Sequence, residues 1–74
     1  MVLGELDSGQ QVRVINYLND KIATRMLSLG LLPTTIVEVI RKSPFADALY
    51  IKYGNTNAAV RKDEAAQIIV QITE

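Results

Sequence analysis

Apolar and polar residues alternate along several short stretches of the chain, and this period of two is typical of strands with one buried face. In one of them Val37 and Val39 share a face, while Glu38 lies on the other. A glycine- and asparagine-rich stretch, residues 54 to 57, predicts a hairpin between the third and fourth strands. The predicted strands are Gln11–Tyr17, Thr35–Arg41, Ala48–Tyr53, Ala58–Arg61 and Gln67–Ile72.

A helical period replaces this alternation between the first two strands. Ile22, Met26 and Leu29 lie at i, i+4 and i+7, which predicts one apolar stripe on a helix, with Ala23 and Leu27 beside it. Asn19 and Asp20 precede the stripe, and either can cap the helix by accepting a backbone N–H. The sequence therefore predicts a helix that begins at one of these two polar residues.

The end of this helix is marked by Gly30 and Pro33. Glycine suits the left-handed residue that follows a last turn, and proline prevents the helix from resuming. We expect Leu31 to return to the core beside the stripe. Leu29, Gly30 and Leu31 are therefore expected to be structural. The alternative is a functional role for this segment, in which Leu32 protrudes beside Pro33 as a contact for a partner.

The elements together predict a mainly β fold with one helix, in the order β-α-β-β-β-(short helical turn)-β. The short turn is predicted at residues 62 to 66, and Leu3 and Leu6 of the lead-in are expected to tuck under the domain. Several short strands at this spacing favour a small barrel, because closure removes unpaired strand edges. With 74 residues and no linker, residues 1–74 are expected to form a single domain.

The amino-acid composition excludes several kinds of functional site. The chain has no cysteine and no histidine, so it lacks thiolate ligands, the commonest metal ligand and the commonest general base at neutral pH. Eight basic residues balance eight acidic ones, which argues against a nucleic-acid partner. We therefore expect neither enzymatic activity nor a bound cofactor.

The chain carries no sign of membrane insertion or export. No apolar run approaches the ~20 residues of a membrane span. The first ten residues contain Glu5 and no long apolar core, which is unlike a signal peptide. A cytoplasmic location is therefore expected.

One adjacent pair of carboxylates could do acid–base chemistry. Asp63 and Glu64 lie at the start of the predicted short helical turn, where carboxylates are favoured as capping groups, and we prefer that role to a catalytic one. The basic residues Arg41 and Lys42, with Arg13 and Lys52 elsewhere, are interpreted as a solvated surface in preference to a phosphate site.

The loop after the second strand supplies the candidate partner-binding patch. Pro44 and Phe45 lie there, flanked by Arg41, Lys42 and Tyr50. An aromatic residue among basic residues on a loop is a plausible interface anchor. The alternative is that Phe45 folds back over the end of the barrel as a lid.

From about Gly9 to Val70 the chain resembles the FeoA family, small cytoplasmic accessory proteins of bacterial ferrous iron uptake. Two segments carry most of the resemblance: a helix end that leads into Leu-Gly-Leu-x-Pro, and an apolar-Arg-x-x-Glu-Ala pattern. In this sequence the structural motif residues are Arg25, Met26, Leu27, Leu29, Gly30, Leu31, Pro33, Arg61, Glu64 and Ala65, and further strand matches are Val12, Ile15, Val37, Val39, Leu49, Ile51, Val60, Ile68 and Val70. The chain departs from the family where Thr34 and Phe45-Ala46 replace the usual glycines.

The resemblance implies a small SH3-like β-barrel without enzymatic activity, one that binds and modulates the cytoplasmic face of FeoB, the GTPase-coupled Fe²⁺ permease. The same fold occurs at the C-terminus of iron-dependent repressors. The alternative is therefore a regulatory domain that acts in transcriptional control by binding protein or transition metal. A weak homo-oligomer is left open.

Overall fold

The computed structural model describes residues 1–45 and 47–73 of the chain. Ala46, which together with Phe45 replaces a glycine usual in the FeoA family, therefore lies outside the described residues. The order of elements is the predicted one, with a 3-10 turn added at the start. The elements are the turn Leu3–Glu5, β1 Gln11–Tyr17, α1 Asp20–Ser28, β2 Ile36–Lys42, β3 Ala48–Tyr53, β4 Thr56–Arg61, α2 Lys62–Ala65 and β5 Ile68–Ile72.

The five strands form one antiparallel sheet in the order β4-β3-β2-β1-β5. Strand β4 begins two residues earlier than predicted, because the hairpin turn consists of Gly54 and Asn55 alone. Gly54 has a φ of +57°, which suits the first position of a two-residue turn, and Tyr53 already pairs with Thr56. The predicted four-residue turn was therefore wrong in extent.

The inward faces of all five strands meet in one hydrophobic core, which requires the sheet to curl around it. Leu3 and Leu6 of the N-terminal segment are buried there, as predicted, together with Ile22 and Met26 of α1. At ~1.5–3 kcal/mol for each large apolar side chain, this shared core accounts for much of the stability of so small a fold. The core consists of Leu3, Leu6, Val12, Val14, Ile22, Met26, Leu31, Val37, Val39, Leu49, Ile51, Tyr53, Val60, Ala65, Ile68 and Val70.

Two β-bulges interrupt the alternation that the sequence predicts. The register of β1 against β5 shifts between Val14 and Asn16, and that of β2 against β3 shifts between Val39 and Arg41. The residues at the two bulges, Ile15 and Ile40, are each 43% exposed. After the first bulge Tyr17, and not Asn16, packs against the core.

Helix α1 begins and ends as the sequence predicts. The side chain of Asn19 caps it by accepting the Ile22 N–H at 2.9 Å. Gly30 has a φ of +81°, its N–H donates to the Leu27 carbonyl, and the Leu31 N–H donates to the Met26 carbonyl, both at 3.0 Å. These two bonds form a Schellman motif, which turns the chain back into the core. Within the predicted stripe, Leu29 is half-buried and Leu27 is exposed.

Two tyrosine hydroxyls hold the segment that follows the helix. The Tyr53 hydroxyl donates to the Leu29 carbonyl at 2.6 Å, and the Tyr17 hydroxyl donates to the Leu31 carbonyl. Burial raises the pKa of Tyr17. The carbonyls on both sides of Gly30 are thereby satisfied by side chains from β1 and β3.

Thr34 occupies the position where the resemblance expects glycine, and it keeps the backbone conformation that glycine would adopt. Its φ is +74°, and its N–H donates to the Val14 carbonyl at 2.7 Å. A β-branched residue in the left-handed region is strained by clashes of its Cβ. The turn at Thr34 therefore carries conformational strain.

Within residues 1–45 and 47–73, no helix is long and apolar enough to cross a membrane.

Candidate binding site

A cleft of about 610 Å³ lies between α1 and α2. Its walls carry charges of both signs, and Ile22 is the apolar residue among them. The lining residues are Asn19, Lys21, Ile22, Arg25, Arg61, Asp63, Glu64 and Gln67. Three of these, Arg25, Arg61 and Glu64, belong to the two sequence segments that resemble the FeoA family.

An ion pair joins the two walls of the cleft. Arg25 Nε lies 3.0 Å from Glu64 Oε2, and the other carboxylate oxygen of Glu64 accepts the backbone N–H of Arg61 at 3.1 Å. The capping role predicted for Glu64 is confirmed by that second bond. The Arg25 side chain is 52% exposed and that of Glu64 only 16%, so the carboxylate is held in place while much of the guanidinium still faces solvent.

The charge state of Glu64 follows from these contacts. Partial burial by itself raises the pKa of its carboxyl, but hydrogen bonds from Arg25 and from the Arg61 N–H oppose this, as do the two positive charges. The hydrogen bonds and positive charges together outweigh the effect of burial, so the pKa of Glu64 lies below its ordinary value. Glu64 is therefore ionised at neutral pH and is satisfied internally, which does not favour an acid–base role.

Amide side chains fix the other end of the cleft. Asn19 Nδ2 donates to Gln67 Oε1 at 2.7 Å, and Gln67 Nε2 donates to the Asp63 carbonyl at 3.0 Å. Asn19 thus caps α1 with its oxygen and ties the helix to the start of β5 with its nitrogen. The walls are held together at both ends, so the cleft is preformed.

The acidic residues do not assemble a metal centre in the described part of the chain. Over residues 1–45 and 47–73, no three carboxylates, histidines or cysteines come close enough to hold an ion. What the cleft offers is a pattern of fixed charges and amide groups, which suits a polar segment of another protein.

The structure divides the predicted partner-binding patch into two parts. Arg41 stacks over the Tyr50 ring at 4.5 Å from its centroid, on the outer face of the sheet, and Lys42 Nζ lies 3.7 Å from Asp7 Oδ1. Tyr50 and Tyr53 lie on opposite faces of β3, and Tyr53 is the buried one. A groove of about 560 Å³ contains Arg41 and Tyr50, but neither Pro44 nor Phe45.

Phe45 lies instead beside α2. Its side chain is 87% exposed, so the alternative in which it forms a lid over the barrel was wrong. Pro44 is exposed as well. Phe45 lines a depression with Asp47, Lys62, Asp63 and Ala66, and Asp63 also lines the α1–α2 cleft. Phe45 and the cleft therefore flank the same short helix. We define Phe45, α2 and the cleft as the α2 surface.

Four of the remaining motif residues contribute to the fold. Met26, Leu31 and Ala65 are buried, and Gly30 carries the reversal of the chain. The sequence identified Arg25 and Glu64 only as separate motif residues and did not reveal that they pair across 39 positions. It also missed the contact between Asn19 and Gln67, which are 48 positions apart, because no local pattern marks such a pair.

A curled five-stranded antiparallel sheet plugged by one helix defines a small SH3-like barrel, and known structures bear out that class. The chain is similar to the solution structure of the FeoA protein from Chlorobium tepidum, with 27% identity and a TM-score of 0.90 over 100% of this chain and 71% of that one. It is also similar to a FeoA-like protein from Clostridium acetobutylicum, with 23% identity and a TM-score of 0.90 over 97% of this chain and 85% of that one. No curated protein sequence matches the chain.

The same fold occurs in larger regulators. The manganese regulator SloR superposes with a TM-score of 0.87 at 16% identity, over 99% of this chain and 34% of the regulator. At this identity the likeness shows the fold alone.

The model of the FeoA domain matches residues 1–72. The chain therefore belongs to the FeoA family. Membership implies a role in ferrous iron transport, and the family is not known for enzymes.

Proposed function

We propose that this protein is a cytoplasmic adaptor that binds the cytoplasmic part of a FeoB-like GTPase permease and modulates it. The observation that carries the proposal is the α2 surface, where a preformed charged cleft and an 87%-exposed phenylalanine flank one short helix. Interfaces commonly combine an aromatic anchor with fixed charges at its margin. Phe45 is the anchor in this proposal, and the charges of the cleft set the orientation of the partner.

The test is a binding titration with the purified cytoplasmic part of the FeoB-like permease of the same organism. Phe45→Ala should weaken binding about tenfold or more if the ring is an interface anchor. Leu32→Ala is the matched control, because Leu32 is also an exposed apolar loop residue. Weakening by Leu32→Ala with no effect of Phe45→Ala would reject the α2 surface. Absence of binding by the parent protein would reject the adaptor function.

A second candidate function is that of a regulatory domain, which the fold likeness to SloR favours. An adjacent gene for a GTPase fused to membrane helices would support the adaptor, whereas a gene for a complete repressor would support the regulator. If the regulator acted by binding metal, the domain would need a metal site of its own.

We predict that the protein has no Fe²⁺ site of micromolar affinity. The prediction rests on the lack of histidine and cysteine in the sequence. Scattered carboxylates give only weak sites with oxygen ligands, and such sites also accept Mg²⁺. Anaerobic titration calorimetry with Fe²⁺ is the measurement, and Mg²⁺ serves as the control ion. Stoichiometric, Fe²⁺-selective heat at micromolar concentration would contradict the prediction and favour a metal-binding role.

A further inference from the structure

The two end strands of the sheet differ in how their free edges are treated. The edge of β5 is covered by the N-terminus: Val2 forms a bridge with Ile69, and the Val70 N–H donates to the Met1 carbonyl at 2.9 Å. Strand β4 pairs with β3 over six consecutive residue pairs without a bulge. In the described residues, no strand or bridge covers its other edge.

The register determines which backbone groups of β4 face this open edge. In an antiparallel ladder, hydrogen-bonded and non-hydrogen-bonded residue pairs alternate. The Lys62 N–H donates to the Asp47 carbonyl at 2.9 Å, so these two residues form a hydrogen-bonded pair that continues the ladder. Counting back in steps of two, Ala58 bonds to β3, while the N–H and C=O groups of Asn57 and Ala59 point outward.

The edge also lacks the features that normally protect an exposed strand. Protection usually comes from a proline, a bulge or an inward-pointing charge. Strand β4 has no proline and no bulge, and Ala58 and Ala59 have the smallest side chains that a strand can carry apart from glycine. An incoming backbone can therefore approach the edge closely.

A groove beside the edge can receive side chains of an added strand. It runs along the outer face from the exposed Ile40 past Tyr50 to Ala59, with a volume of about 560 Å³. Arg41 and Lys52 line it, and among the described residues no carboxylate does. The nearest carboxylate in register is that of Glu38, opposite Lys52 on the neighbouring strand. The groove is thus apolar at its floor and cationic at its walls.

We propose that the open edge of β4 binds an extended acidic segment of a partner protein as a sixth strand of the sheet. The backbone of the segment pairs with Asn57 and Ala59, one of its apolar side chains enters the groove beside Tyr50, and its carboxylates face Arg41 and Lys52. Such strand addition derives affinity from main-chain hydrogen bonds and specificity from alternate side chains. The site is separate from the α2 surface and does not depend on the identity of the permease.

Proline substitutions test the backbone contacts. Ala59→Pro removes an outward N–H that β3 does not use, so the fold should be retained, as for prolines found on edge strands. Ala58→Pro removes an N–H that bonds to β3 and should lower the melting temperature clearly. Asn57→Pro is a second edge variant, for use if Ala59→Pro does not fold.

The binding probe is a short synthetic peptide, Glu-Thr-Val-Thr-Glu, whose first, third and fifth side chains share one face of an added strand, so that the valine can enter the groove with a glutamate on either side. The matched control peptide carries lysine in place of both glutamates. Amide exchange measured by NMR should show Asn57 and Ala59 exchanging fast in the free protein and about tenfold or more slowly with the glutamate peptide. Ala59→Pro and Lys52→Glu should each weaken binding of this peptide about tenfold.

Three results would overturn the proposal. The first is that the lysine peptide binds with the same affinity as the glutamate peptide. The second is peptide-induced protection that appears elsewhere than at Asn57 and Ala59. The third is a concentration-dependent dimer in which these amides are already protected, which would assign the edge to a second copy of this chain.

Discussion

The two loops on either side of β2 are built in opposite ways. The connection from Leu29 to Thr35 has a Schellman motif, two left-handed residues and tyrosine hydroxyls on both sides of Gly30. The loop between β2 and β3 is held by Ser43 Oγ, which accepts the N–H groups of Asp47 and Ala48 at 3.0 and 3.2 Å. It leaves Phe45 in solvent. The first loop buries Leu31 in the core and leaves Leu32 exposed, whereas the second buries no large apolar residue.

This difference follows from where the side chains of each loop can go. Leu31 emerges from the helix reversal directly over the core and is buried there, whereas Phe45 lies beyond the ends of its two strands. A mutation in the first connection should therefore change the free energy of unfolding. A mutation in the second should change binding instead.

Among the changes to backbone conformation and to hydroxyl groups, the largest effect is expected at Gly30. Gly30→Val should lower the free energy of unfolding by ~1–3 kcal/mol, because φ is +81° and a β-branched residue is strained there. An added Cβ would meet nothing within 4 Å, so the loss measures backbone strain and not a clash. Chemical denaturation of the variant is the measurement. Gly30→Asn should lose less, since asparagine tolerates this region, and equal losses would contradict the explanation.

A smaller loss is expected when one tyrosine hydroxyl is removed. Tyr53→Phe should lower the free energy of unfolding by ~1 kcal/mol, because the Leu29 carbonyl loses its donor and Tyr53 is only 7% exposed. Tyr50→Phe is the control on the outer face of the sheet, with an expected change within ~0.5 kcal/mol. If denaturation gave similar values for both variants, the hydroxyl of Tyr53 would not support the connection.

A gain in stability is expected at Thr34. Thr34→Gly should raise the free energy of unfolding by ~0.5–1 kcal/mol. The substitution relieves backbone strain at a φ of +74°, and this gain is larger than the free-energy cost of the extra entropy that glycine gives to the unfolded chain. Thr35→Gly, at the neighbouring residue without a positive φ, should be destabilising. Thermal unfolding of both variants decides the matter, and a loss at both positions would show that Thr34 is not strained.

These predictions also show which parts of the molecule could be derived from the sequence. The reversal at Gly30 was predictable, because a helical stripe, a glycine and a proline lie within a few positions of one another. The tyrosine bonds were not, because the partners lie 14 and 24 residues apart and nothing local marks them. The bulges at Ile15 and Ile40 were not predicted for a related reason. A bulge changes how a strand pairs with its neighbour, and no residue type in the strand itself marks it.

The candidate site likewise has parts that the sequence predicted and parts that it did not. The sequence identified Phe45 as an unusual loop aromatic, but it grouped that residue with Arg41 and Tyr50 because they are close along the chain. The bulge in β2 and the pairing of Arg41 with Tyr50 place those two residues on the sheet face, in a different groove from Phe45. Proximity in sequence was therefore a poor guide to which residues share a surface.

The smallest effect on stability is expected in the second loop. Phe45→Ala should change the free energy of unfolding by less than ~0.5 kcal/mol, because the ring is 87% exposed and gives up little buried surface. Leu31→Ala is the matched truncation in the first connection, and it should cost ~2–5 kcal/mol because Leu31 is fully buried. Denaturant titration of the two variants compares the loops directly. A loss of several kcal/mol for Phe45→Ala would mean that the ring packs as a lid, and the contrast between the two loops would then fail.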